Sequence, residues 1–231
     1  GLRIIQPRNG YRAGIDAVLL AGFVRLNDGA RVADLGAGTG ALPLLLAARQ
    51  KNIEIFGLEL QREMKELAQR SVELNGLSQQ IFIYEGDIKD PPPQFKKGGF
   101  DVVVSNPPYI RGNQGRMNPC TSKSLAKHEV ACCLENVVQA ASILLRSQGS
   151  LFMIHRTTRM VEAIGLLVKY RLEPTRLCPV YSSIQRQSKL FLVEAVKDGR
   201  SGFVLDPPLV LSDIPAGDFP FVSGDLVEDP E

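Results

Sequence analysis

Tryptophan is absent from the 231 residues, histidine occurs twice, and no run of about 18 apolar residues is present. The last of these predicts no membrane span, and the N-terminus carries no charged-then-apolar leader pattern, so neither membrane insertion nor secretion is expected. The opening Gly1 in place of Met points to a trimmed or partial start. The four cysteines, Cys120, Cys132, Cys133 and Cys178, form no CxxC pair and no spacing with histidine that would ligate zinc. A disulfide framework and a metal site are therefore both disfavoured, and a reduced, cytoplasmic setting is expected. With His128 and His155 alone, a Ser-His-Asp triad has few possible centres.

The hydrophobic share of 44% is enough for one large domain with a buried core. The formal charge of +2 hides an asymmetry. Residues 198–231 carry eight acids against Arg200, so the tail is −7 and the body, 1–197, is +9. A body that basic suits a phosphate-bearing partner, although solvation alone also accounts for surface charge. The division expected is a main domain over 1–198, including a basic entry segment with Arg3, Arg8 and Arg12, and an acidic extension over 199–231.

Strand-like runs at 31–35, 53–58, 80–84, 100–105, 149–155 and 189–196 alternate with helix-like runs at 40–50, 61–75, 129–146 and 157–170. A short buried helix over Ile15–Ala21 precedes them. This rhythm predicts an α/β fold with a doubly wound, mostly parallel sheet. Residues 110–128 break it, with Arg111, Arg116, Lys123 and Lys127 and no acid. They read as a long basic loop or as a solvated insertion.

Val32-Ala33-Asp34-Leu35-Gly36-Ala37-Gly38-Thr39-Gly40 runs from a strand into glycines and then a helix, a setting in which a cofactor lies against bare backbone at a helix N-terminus. Gly36, Gly38 and Ala41 satisfy the loose dinucleotide pattern, with Glu59 closing the next strand 21 residues after Gly38. A carboxylate there accepts ribose hydroxyls, a requirement shared by NAD and S-adenosylmethionine. Asp34 inside the strand favours the cationic, phosphate-free cofactor, because a carboxylate repels a pyrophosphate. Asp87, after the third strand, suits an adenine amino group and equally a plain turn.

Asn106-Pro107-Pro108-Tyr109 follows the buried strand Phe100–Ser105 at its carboxyl end, beside the same crevice. Two prolines remove two backbone donors and leave carbonyls free to accept. The Asn106 side-chain oxygen and the Pro107 carbonyl can together take both hydrogens of a planar exocyclic amine and aim its nitrogen at an electrophilic methyl group, with Tyr109 stacking on the ring. No shifted general base is needed, since the amine sheds its proton after transfer.

DLGAGTG, Glu59, Gly86-Asp87 and SNPPY together resemble the class I S-adenosylmethionine-dependent methyltransferases that modify amines, over roughly 30–200. YRAGIDAVLLAGFV at 11–24, AKHE at 126–129, MIHR at 153–156 and PPLVL at 207–211 resemble more narrowly the bacterial tRNA (adenine-N6)-methyltransferase family acting on the anticodon loop of valine tRNA. The resemblance implies a seven-stranded Rossmann-like sheet with its last strand antiparallel, placed at Thr175–Tyr181 followed by Lys189–Val196. It implies S-adenosyl-L-methionine as cofactor, tRNA as partner, and a place for Asp16 beside the methionine end of the cofactor, a residue that equally caps the helix after it.

The expected cofactor set is thus Asp16, Asp34, Gly36, Gly38, Gly40, Glu59, Asp87 and Asn106. Catalysis is expected from Asn106, Pro107 and Tyr109, and substrate contacts from Arg12, Arg111, Arg116 and Lys123. The NPPY tetrapeptide also serves DNA adenine N6, guanine N2 in ribosomal RNA and a protein glutamine amide, so it specifies amine geometry rather than the molecule. An NAD-dependent oxidoreductase and a non-catalytic RNA-binding protein of the same fold are the readings from other classes. His128 and Glu129 read as a helix start, His155 and Arg156 as a strand end able to touch RNA, and Cys132-Cys133 as small packing residues.

Overall fold

Apolar runs of five to eight residues, too short for core helices and bounded by glycine and polar turns, assemble into one central sheet. The computed structural model describes residues 1–7, 14–107, 134–214 and 227–228. Its elements are β1 (Arg3–Ile4), α1 (Ile15–Phe23), β2 (Arg31–Leu35), α2 (Ala41–Arg49), β3 (Glu54–Glu59), α3 (Arg62–Leu74), β4 (Ile81–Glu85), β5 (Phe100–Ser105), α4 (Leu134–Leu144), β6 (Leu145–Arg156), α5 (Met160–Lys169), β7 (Leu172–Tyr181), β8 (Leu190–Lys197), β9 (Val204–Leu205), β10 (Leu209–Val210) and β11 (Val227–Glu228).

Seven long strands lie in the order β7-β8-β6-β5-β2-β3-β4, and β8 alone runs antiparallel, to β6 on one side and β7 on the other. The sheet has nine strands rather than the seven expected, because β9 and β10 add two residues each along the outer edge of β7. The antiparallel strand is the last of the long ones in sequence. It is an interior strand, since β7 closes the sheet beyond it.

The parallel strands are buried on both faces, which is why β2 and β5 read as continuous rather than alternating apolar runs. One face packs Val32, Ile55, Val104 and Ile154 against α1, α2 and the Ala68 and Val72 positions of α3. The other packs Ala33, Val103, Met153 and Val193 against α4 and α5. That second face is filled by a ring cluster in which Phe56 meets Phe100 edge-on at 5.5 Å and Phe95 meets Tyr84 at 5.8 Å.

α4 spans 134–144; the expected start at 129 lies outside the described residues. The fifth long strand begins at Leu145 instead of 149, because the chain leaves α4 directly into pairing with Phe100 and then bulges before Val102. Gln148 takes the bulge with φ of 64°, a left-handed conformation, and the exposed Arg146-Ser147-Gln148 masks the strand in sequence.

Arg176 on β7 ties α1 and the C-terminal segment to this edge. Its guanidinium lies 3.8 Å from the Phe23 ring, donates to the Phe23 carbonyl at 2.7 Å and to Glu194 at 3.0 Å, and stands 3.5 Å from Asp206. Among the described residues no helix is long and apolar enough to cross a membrane.

Candidate active site

The carboxyl ends of four adjacent strands carry the residues singled out from sequence. In sheet order these are Asp87 beyond β4, Glu59 at the end of β3, the Gly36–Gly40 turn beyond β2, and Asn106 beyond β5. Such an edge is where open α/β sheets bind their ligands.

The glycine turn folds back onto β3. Gly36 and Ala37 both donate to the Leu58 carbonyl, at 2.9 and 3.0 Å. Gly38 and Gly40 have φ of 55° and 84°, conformations that carry no penalty only without a Cβ. An added Cβ at Gly38 would meet no atom within 4 Å, so the turn leaves open space over bare backbone. Gly57 makes the approach possible from the other side: a Cβ there would come within 3.0 Å of Ala37 and 2.7 Å of Ile83. Sequence reasoning passed over Gly57, although a lone glycine inside the apolar run IEIFGLE is the usual mark of close backbone approach.

Glu59 is 7% exposed and held from two sides. Its Oε2 accepts from Gly38 N at 2.8 Å and its Oε1 from Gln61 N at 2.8 Å. Each carboxylate oxygen retains a lone pair, so the group is oriented and still able to accept two hydroxyls. Gly86 N donates to the Glu59 carbonyl at 3.0 Å, which brings the β4 end alongside. Asp87 there is partly buried, and its Oδ1 accepts from Lys89 N at 2.9 Å, the turn contact that its alternative reading supposed.

Asp34 is the unusual group. It is 1% exposed, and neither carboxyl oxygen has a hydrogen-bond partner among the described residues. Burial, with the nearby Glu59 charge as a smaller cause, pushes its pKa up to about 8. Asp34 pairs with Val104, so the two lie on one face of the sheet, the face α1 covers, and Asn106 follows just beyond the end of β5. Asp16, in the first turn of α1, is partly buried on that side.

β5 is fixed against β2 by Ser105, whose buried Oγ donates to the Leu35 carbonyl at 2.7 Å. This tie sets where Asn106 and the buried Pro107 emerge; a serine at the end of a Val-Val-Val run was its only sequence signal. Next along the edge, the penultimate residue of β6 is His155, 2% exposed, whose Nδ1 accepts from Arg156 N at 2.8 Å. Burial, then the Arg159 charge, lowers its pKa to about 4, so this imidazole is neutral near pH 7. Tyr109, Arg12, Arg111, Arg116 and Lys123 lie outside the described residues.

A glycine cradle, a fixed carboxylate and a buried acid with no partner among the described residues suit a cofactor bearing a ribose and a positive charge, and the sheet order with β8 inserted antiparallel is the Rossmann-like fold of the class I methyltransferases. The chain belongs to the methyltransferase small domain family, whose family model matches residues 14–171. It is 31% identical over 197 residues to the tRNA1(Val) (adenine(37)-N6)-methyltransferase of Porphyromonas gingivalis, covering 83% of this chain and 76% of the relative. It is 27% identical over 189 residues to the enzyme of the same name from Flavobacterium psychrophilum, covering 81% and 80%. Among solved structures, a predicted O-methyltransferase from Agrobacterium tumefaciens superposes with a TM-score of 0.69 at 28% identity, over 84% of this chain and 86% of that one. The geranyl diphosphate C-methyltransferase of Streptomyces coelicolor, solved with S-adenosyl-L-homocysteine, shares the fold at 12% identity, with a TM-score of 0.58 over 78% of each chain. The protein is an S-adenosyl-L-methionine-dependent methyltransferase.

Proposed function

We propose that this enzyme methylates the exocyclic N6 amine of an adenine in tRNA, at the position named for its relatives, adenine 37 of a valine tRNA. The observation that carries the chemistry is the placement of Asn106 immediately beyond β5, the strand that pairs with β2 beside the glycine turn and the buried Asp34. When bound, S-adenosyl-L-methionine supplies an electrophilic methyl group on a sulfonium. Glu59 holds the ribose hydroxyls, Asp87 is the acceptor nearest in sheet order for the adenine end, and the Gly36–Gly40 backbone is the floor between them. Asp34 and Asp16 lie toward the cationic end.

Asn106 Oδ1 and the Pro107 carbonyl accept the two amine hydrogens. This turns the nitrogen lone pair toward the methyl group and holds the target ring in its plane, so that rate comes from orientation rather than from proton abstraction. Tyr109 stacks on that ring, and the basic residues Arg12, Arg111, Arg116 and Lys123 hold flanking phosphates. The amine proton leaves to water after transfer.

Glu59→Ala removes the oriented ribose acceptor and frees Gly38 N. Cofactor affinity is expected to fall by roughly one to two decades, corresponding to about 1.5–3 kcal/mol for hydrogen bonds to a charged group. Calorimetry with S-adenosylhomocysteine measures this, and unchanged affinity would take Glu59 out of the site. Substrate class is tested by incubating the enzyme with methyl-labelled S-adenosylmethionine and separated tRNA, ribosomal RNA, DNA and protein. Label in tRNA supports the reading, and label confined to any other fraction replaces it.

A further inference from the structure

The turn joining β7 to β8, Ser182-Ser183-Ile184-Gln185-Arg186-Gln187-Ser188-Lys189, contains two cations and no acid. β6 and β7 both run antiparallel to β8 and hence parallel to each other, so this turn emerges at the same edge of the sheet as Asn106. Ile184 to Gln187 and Lys189 are exposed. Neither Arg186 nor Lys189 forms an ion pair among the described residues, unlike Arg159 nearby, which is engaged by Glu162.

The turn is held firmly at its base. Thr157 N donates to the Lys189 carbonyl at 3.0 Å, and the Thr157 and Ser188 hydroxyls meet at 3.0 Å. Ser188 Oγ also lies 3.0 Å from the Val180 carbonyl and 2.8 Å from that of Leu190, and Arg186 N donates to the Ser183 carbonyl at 3.0 Å. Arg156, at the end of β6, pairs directly with Leu190, so a third cation stands beside Lys189 on the next strand. Two cations with no ion pair among the described residues, on a pinned turn that holds no acid and with Arg156 adjacent, form a basic rim on the active-site edge. A rim of this kind fits an extended polyanion, since positioning on nucleic acid rests chiefly on cationic contacts to phosphate oxygens.

We propose that this turn is a second RNA contact, in which Arg186 and Lys189 grip backbone phosphates beside the base delivered to Asn106. The inference rests on the tRNA reading above and adds to it a contact on the β6–β8 side of the target base. The rigid base matters because a pinned cation orders the strand without the cost of ordering a loose loop.

The test is tRNA binding by the wild type and by the Arg186→Ala, Lys189→Ala double variant, measured from low to moderate potassium chloride. Each phosphate contact contributes about 0.7 to the salt slope of a single-stranded segment, so the double variant should flatten the slope by about 1.4 and bind S-adenosylhomocysteine as before. The charge-preserving pair Arg186→Lys, Lys189→Arg should restore the wild-type slope. If wild type and alanine variant bind tRNA with identical slopes, the turn is not an RNA contact and the tRNA reading still stands. If the wild type itself shows no salt-dependent tRNA binding, the tRNA reading falls and this contact falls with it.

Discussion

Asn106→Ala is expected to lower turnover by about 10²–10³-fold while leaving affinity for S-adenosylhomocysteine within a few-fold of wild type. The magnitude follows from losing one preorganised polar partner of the reacting group, by analogy with removal of a single oxyanion-hole donor. The asymmetry follows from where Asn106 stands. The Gly36–Gly40 turn is built on β2 and β3 and is braced by Leu58 and Glu59, none of which depends on the Asn106 side chain. The strand that leads into Asn106 stays in register through its ladders to β2 and β6 and through the Ser105 to Leu35 hydrogen bond. Single-turnover rates separate chemistry from binding. A variant that transfers methyl groups at the wild-type rate would remove Asn106 from the reacting centre.

The second large effect is expected at Asp34, and it is a dependence on pH. Its native pKa of about 8 stands above the ordinary carboxyl value of 3.8, so between those limits the folded protein binds more protons than the unfolded chain. Stability without cofactor is therefore greatest at low pH on this account and falls as pH rises toward 8, by at most about 1.4 kcal/mol per pH unit. Asp34→Asn removes that titration. The difference between wild-type and variant stability, read from urea unfolding at pH 5, 6 and 7, should shift steadily in favour of the variant.

Cofactor binding should move the other way. A sulfonium near the carboxyl group favours its ionised form, so S-adenosylmethionine should bind the wild type more tightly as pH rises toward 8, with release of a proton. S-adenosylhomocysteine, which has no charge on sulfur, should show little of this. The Asn variant is expected to lose about 10–100-fold in affinity for S-adenosylmethionine and far less for the product. Equal losses for both ligands would mean that Asp34 does not face the cationic end, and a flat stability difference across pH would mean that burial does not raise its pKa.

Much of this architecture is legible in the sequence because parallel strands buried on both faces leave unmistakable apolar runs. β2 and β5 are found at the expected residues, and β3 and β4 within one residue at each end. The Gly38–Glu59 spacing of 21 residues is realised as a direct hydrogen bond. What stayed hidden depends on partners distant in sequence. β9 and β10 are two residues each, separated by Pro207-Pro208, and exist only because β7 offers an unpaired edge. The start of β6 is concealed by exposed polar residues that pair across a bulge with Phe100. Gly57 and Ser105 are ordinary in isolation, and their roles appear only when β3 meets Ala37 and β5 meets Leu35. The burial of Asp34 was not legible either; a strand aspartate signals a charge preference, whereas its lack of a partner among the described residues goes with the packing of α1 and α2 over that face.

The central claim is the identity of the methylated atom, and the most direct test is nucleoside analysis of a valine tRNA transcript after incubation with the enzyme and S-adenosylmethionine. The account predicts N6-methyladenosine as the product, present in a transcript with adenine at position 37 and absent when that adenine is replaced by guanine. Methyl groups on guanine N2, on a ribose oxygen or on an adenine elsewhere in the transcript would contradict it, as would transfer to a protein in place of the RNA.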